Sequence, residues 1–83
     1  MRLRTEGIAW QELDGELVVL DLAASTYLEA NATGTFLAGL LKQERTLEEL
    51  RDALVEKYGI APDVAEQDAR AYVDELRGLG LLA

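Results

Sequence analysis

The apolar pattern of this chain changes period once, at Asn31, and that switch sets what it can fold into. Before Asn31, apolar residues come in short runs with β-branched and aromatic members; after it they recur at helical spacing. Ile8-Ala9-Trp10-Gln11-Glu12-Leu13 reads as a first strand. Asp14-Gly15 follows, a pair suited to a two-residue hairpin turn because both residues tolerate positive φ. Residues 16–22, Glu16-Leu17-Val18-Val19-Leu20-Asp21-Leu22, form the clearest strand, with Val18 and Val19 adjacent. Ala23-Ala24-Ser25 makes a looser turn into a third strand, Thr26-Tyr27-Leu28-Glu29-Ala30. Asp21, in an apolar strand close to that turn, reads as an acceptor for turn amides, so its removal is expected to affect stability more than binding.

Three helices are expected beyond the switch. Asn31 caps the first, with Phe36, Leu37, Leu40 and Leu41 as its stripe and Gly34 and Gly39 weakening it. Lys42 to Arg45 form a polar connection. Thr46 and Glu49 have capping-box spacing at the start of the second helix, whose stripe is Leu47, Leu50, Leu54 and Tyr58. Gly59 is placed to end it in the left-handed region, and Pro62 forbids continuation. Asp63 is then expected to cap the third helix with Glu66 as box partner, and its apolar face runs Ala65, Ala69, Tyr72, Val73 and Leu76. Leu79, Leu81 and Leu82 fold back or form a short strand. The expected class is α+β, in the order β-β-β-α-α-α: a three-stranded antiparallel sheet beside a helix-turn-helix, hence winged-helix-like, in a single domain over residues 1–83.

Composition removes several kinds of chemistry. The chain has 83 residues, net charge −8, no cysteine and no histidine. A thiolate nucleophile, an imidazole base and a zinc finger therefore cannot be built. The lone serine, Ser25, follows Ala24, so the Asp-Ser pair of a phosphopantetheine carrier is missing. The expected third helix holds Asp63, Glu66, Asp68, Asp74 and Glu75 against Arg70 and Arg77, which opposes a phosphate backbone and argues against a winged-helix transcription regulator. No nucleic-acid partner, cofactor or metal is expected, and the paired acids Glu48-Glu49 and Asp74-Glu75 fall on solvated faces. No apolar run spans a membrane, and the basic Met1-Arg2-Leu3-Arg4 is not followed by a signal core, so no membrane association and a cytoplasmic location are expected. A binding module is expected, not an enzyme.

Two features of the sheet point to binding surfaces. Val18, Leu20 and Leu22 fall on one face of the middle strand, and Leu17 and Val19 on the other; Trp10 and Leu13 also divide between faces. The helices can cover only one face. The second is either covered by N-terminal residues such as Leu3 or is a docking patch for a protein partner, formed by Trp10, Leu17 and Val19. The third strand is an edge with neither proline nor lysine to block it. Either the chain covers this edge itself, or an extended peptide adds there as a fourth strand.

Trp10, the run from Asp14 to Leu22, Tyr27, Asn31-Ala32-Thr33-Gly34, Leu40-Leu41, Thr46-Leu47-Glu48-Glu49-Leu50 and the ending Leu76-Arg77-Gly78-Leu79-Gly80-Leu81-Leu82 together resemble the PqqD-like family, which includes the recognition elements for ribosomally made, post-translationally modified peptides (RiPPs). The resemblance implies a non-catalytic module that binds the leader segment of a precursor peptide and presents it to a modifying enzyme. Among such modules the chain is most similar to the stand-alone leader-binding proteins of lasso-peptide biosynthesis, whose partners are a leader-removing cysteine protease and a cyclase. The alternative is a PqqD-type peptide chaperone for quinone cofactor biosynthesis. By position, the implied peptide site uses the backbone of Ser25, Thr26, Tyr27, Leu28, Glu29 and Ala30, with walls from Tyr27, Leu28, Ala69, Tyr72, Val73 and Leu76 and rim charges at Glu29, Asp68, Arg70 and Arg77. Each wall residue is equally readable as core; tyrosine, with an apolar ring and a polar tip, suits a groove best. Ala30 departs from the family, many of whose members carry leucine there, leaving a smaller side chain at the strand end. A monomer or weak dimer is expected.

Overall fold

In the computed structural model the chain is described over residues 1–14, 16–23 and 26–83, with Leu13, Thr26, Glu29 and Ala30 described by their backbone alone. Asp14 takes the positive φ of 53° that the hairpin reading requires. Gly15 and the expected turn at Ala24 and Ser25 lie outside the described residues, and with them the first member of the implied peptide site. Three strands follow one another, β1 (Ile8–Leu13), β2 (Glu16–Asp21) and β3 (Thr26–Ala30), then three helices, α1 (Ala32–Leu40), α2 (Leu47–Tyr58) and α3 (Pro62–Gly78). The sheet is antiparallel in the order β1-β2-β3. Its register pairs Trp10 with Val19 and Val19 with Leu28.

Partners directly across a ladder share a face, so Trp10, Leu17, Val19, Asp21 and Leu28 are one set, and Ala9, Gln11, Val18, Leu20 and Tyr27 the other. The first set meets the helices. Leu17 and Val19 are 2% and 0% exposed and belong to one core with Leu37, Leu41, Leu50, Leu54, Ala69, Val73 and Leu76. The docking patch expected at Leu17 and Val19 is therefore misplaced: both are core, and half-buried Trp10 packs against that core under the ammonium of Lys42. The outer face carries the half-buried Val18 and Leu20. Nor does Leu3 cover that face. It is buried in the core, bridged to Leu82 and bonded through its N–H to the Leu41 carbonyl. Among the described residues this bridge is the whole of the C-terminal pairing.

The caps follow local chemistry. Asn31 Oδ1 accepts from the Gly34 N–H at 2.8 Å, and Thr46 with Glu49 closes a capping box in both directions. Gly59 ends α2 at φ 66°. At α3 the expectation fails: Asp63 is not the cap and makes no box with Glu66. Ala61 is the N-cap, with no side-chain hydrogen bond, and Pro62 opens the helix. The physical reason is that proline lacks only an N–H that the first turn leaves unpaired, and its fixed φ already suits a helix. Asp63 sits within the first turn, where its charge favours the helix dipole. Tyr58, expected in the buried stripe of α2, is 41% exposed. It lies at the helix end, beyond the core layer, edge-on to Phe36 with ring centroids 6.1 Å apart.

Asp21 is the buried charged residue of the core face, 5% exposed. Its Oδ1 accepts the Ala23 N–H at 3.1 Å, as expected for a turn acceptor, and its Oδ2 accepts from Arg4 Nη2 at 2.8 Å. The arginine, distant in sequence, fastens the N-terminal segment to the sheet. Replacing Asp21 by alanine strands a guanidinium and a turn amide, so urea unfolding of Asp21→Ala should show a loss of about 2–3 kcal/mol. Asp21→Asn, which keeps an acceptor, should lose less. Equal stability of Asp21→Ala and the parent chain would refute this role.

Candidate functional site: an open edge strand leading into a cleft

β1 and β3 are the two edges of the sheet, and among the described residues no strand pairs with the free side of either. They differ in what lies at their ends. β3 runs into Asn31, and Asn31 opens a cleft of about 330 Å³ between the first turn of α1 and the middle of α3. Asn31, Thr33, Gly34 and Leu37 line it from one side, and Asp68, Ala71, Tyr72 and Glu75 from the other.

Local structure builds both walls. The Asn31 cap turns the chain out of the strand and folds Gly34, which is buried, back toward it. Thr35 holds α1 against the sheet by accepting the Leu17 N–H at 3.1 Å. Across the cleft, residues 68, 71, 72 and 75 have the i, i+3, i+4, i+7 spacing of one helix face. The neighbouring face of α3, with Ala65, Ala69, Val73 and Leu76, packs into the core. Tyr72 stands at the border between these faces and is half-buried. Burial, aided by the nearby charge of Glu75, pushes its hydroxyl pKa up to about 12. The folded value lies above the unfolded one, so the stability linked to this group is complete below about pH 10 and is lost as pH rises from about 10 to about 12.

The residues expected to form the peptide site are thus sorted by position. Asp68 and Tyr72 come together in the cleft. Leu28, Ala69, Val73 and Leu76 are 7%, 0%, 3% and 0% exposed, so their side chains are core beneath the site and do not form its walls. Tyr27, 66% exposed, shares the outer face with Leu20 and points away from the helices; it does not line the cleft with Tyr72. Thr26, Glu29 and Ala30 contribute backbone to the edge. Arg70 and Arg77 lie within 3.9 and 3.5 Å of Glu66 and Asp74 on exposed parts of α3. Asn31, Thr33, Gly34, Leu37, Ala71 and Glu75 line the cleft without being among the expected site residues. Glu75 is the one that spacing marks, since it lies two turns from Asp68.

Two further clefts lack the edge strand. One of about 390 Å³, lined by Phe36, Leu40, Ala53, Glu56 and Lys57, is bordered by the Lys57 ammonium 5.0 Å from the Phe36 ring centroid. The other, at Arg2, Arg4, Thr5, Glu6 and Ala83, lies where the terminal segments meet. Among the described residues no three carboxylates converge as a metal site would require, and no helix is long and apolar enough to cross a membrane.

Comparison with known proteins places the family and the fold. The family model for coenzyme PQQ synthesis protein D (PqqD) matches residues 16–82. Two solved structures share the fold closely. TbiB1 in complex with the TbiA(beta) leader peptide is 28% identical, with a TM-score of 0.88 over 99% of this chain and 94% of that one. A lasso peptide synthetase B1 complexed with the leader peptide is 26% identical, with a TM-score of 0.84 over 96% of this chain and 93% of that one. Comparison with curated protein sequences gives no match.

Proposed function

Because the chain belongs to the PqqD family, we propose that it is a non-catalytic binding module for the leader segment of a ribosomally made precursor peptide. The observation that carries this reading is the edge of β3, which pairs with no further strand among the described residues and runs into the cleft between α1 and α3. An extended guest adds to β3 by main-chain hydrogen bonds, which supply affinity with little regard to sequence. Its side chains then meet Asp68, Tyr72 and Glu75, which supply choice. The module works as one unit over residues 1–83, as a monomer or weak dimer in the cytoplasm, and hands the bound precursor to a separate modifying enzyme. The lasso pathway is the preferred setting, because one structural neighbour is a lasso peptide synthetase B1 and both are complexes with leader peptides. The second reading, a peptide chaperone for quinone cofactor synthesis, is favoured by the family model itself.

Titration calorimetry against a panel of leader peptides decides between them. The panel holds lasso leaders, that of TbiA(beta) included, and the precursor of the quinone cofactor. Binding of a lasso leader at micromolar strength or tighter, with amide shifts concentrated in residues 26–31 and 68–75, is the expected result. Preference for the quinone precursor transfers the chain to the second reading. No binding by any member overturns both.

A further inference from the structure

A strand added to β3 would show its side chains alternately on the two faces of the sheet. The cleft between α1 and α3 can read only those on the helix side. The others fall on the outer face, beside whatever β3 presents there. Across that face the register sets Ala9 of β1 against Leu20 of β2, and Leu20 against Tyr27 of β3. This row is apolar throughout, and its side chains grow toward the β3 edge. Ala9 and Leu20 are half-buried, whereas Tyr27, at the end of the row, is 66% exposed.

A single exposed apolar residue is ordinary. The placement of Tyr27 is not. It stands on a strand whose free side pairs with no strand among the described residues, so the next place in its row is the one a guest strand fills. Side chains directly opposite each other start about 5 Å apart, within reach of an aromatic ring. Tyrosine suits a surface that is wet when free and covered when loaded, because its ring is apolar and its tip polar. Tyr27 also lies four residues before Asn31, about 13 Å along an extended chain from the cleft. It therefore meets a different guest residue from those that enter the cleft.

Building on the leader-binding reading, we infer that Tyr27 is a specificity-determining residue: it selects a guest with an aromatic or β-branched apolar side chain on the outer face, directly opposite its ring. The guest residue becomes the fourth apolar member of the row Ala9-Leu20-Tyr27 and covers the exposed ring. A carboxylate at that place is disfavoured, since it loses hydration against an apolar row that offers it no partner. Selection is thus divided between the two faces of the added strand.

The test uses a displayed library of random peptides, selected on the full chain and separately on Tyr27→Glu. Because Tyr27 is exposed, both should melt at nearly the same temperature. Peptides from the parent chain are expected to hold an aromatic residue, valine or isoleucine at one fixed position. Those from Tyr27→Glu should hold lysine or arginine at that same position, with the rest of the pattern unchanged, because opposite charges also pair across strands. Fluorescence anisotropy then measures the pair directly. Tyr27→Ala should weaken a parent-selected peptide about 3- to 10-fold. The same peptide with alanine at the fixed position should bind the parent chain and Tyr27→Ala equally, a coupling that a merely structural role would not produce. The same residues at that position from both selections, or losses that simply add, would overturn the inference and leave leader binding standing. A library that yields no peptide binding the parent chain would overturn leader binding as well.

Discussion

Leu76→Ala will lower the unfolding free energy by about 3 kcal/mol and leave peptide binding by the folded molecules nearly unchanged. Leu76 is fully buried, beside Glu75, which lines the cleft. Its truncation removes apolar surface from contact and leaves a void that a core of this size cannot close completely. A domain of 83 residues is expected to hold only about 4–12 kcal/mol in total, so the loss is a large share of it. At roughly 4–8 °C per kcal/mol, the melting temperature should fall by about 12–24 °C, which calorimetry reads directly. The opposite outcome, a small stability loss with abolished binding, would make Leu76 a groove wall after all. Tyr72, at the same helix border, differs in being only half-buried and in lining the cleft.

That contrast also shows where sequence reasoning stopped. The order of elements, the hairpin, the Asn31 and Thr46 caps and the Gly59 terminus were legible because each rests on a few neighbouring residues. β2 stops at Asp21, one residue short of the expected Leu22. The start of α3 was legible in principle, since Pro62 fits the first helical position better than it fits a boundary outside the helix. Asp63, an acid three residues before Glu66, imitates a capping box without forming one.

The inward face of β2 was harder. Val18 and Leu20 are as apolar as Leu17 and Val19, so alternation alone names neither set. What decides is long-range. Asp21 shares a face with Leu17 and Val19, and its carboxylate enters the interior where Arg4 and the Ala23 N–H meet it. The cleft was least legible of all. Its walls join the first turn of α1 to the middle of α3, and no local pattern states that these segments face each other. Helical spacing ties Glu75 to Asp68, but only the folded chain shows that Asn31 and Gly34 stand opposite.

The edge of β3 makes the strongest claim about function, and an N-methyl scan along a bound leader peptide will expose it. Methylation at every second residue of one short stretch should weaken binding by about 10-fold or more, with the residues between nearly indifferent. Along an added strand, successive N–H groups point alternately toward the partner strand and away from it. A methyl on an inward nitrogen removes a donor and crowds a gap of about 4.7–4.9 Å, whereas one on an outward nitrogen meets open space. β3 is five residues long, so the sensitive stretch must be equally short. Amide exchange settles which edge is used: residues 26–30 should gain protection on binding and residues 8–13 should not. A guest bound as a helix would instead show sensitivity without the two-residue alternation, and strand addition would then have to be abandoned even if the cleft proved to be occupied.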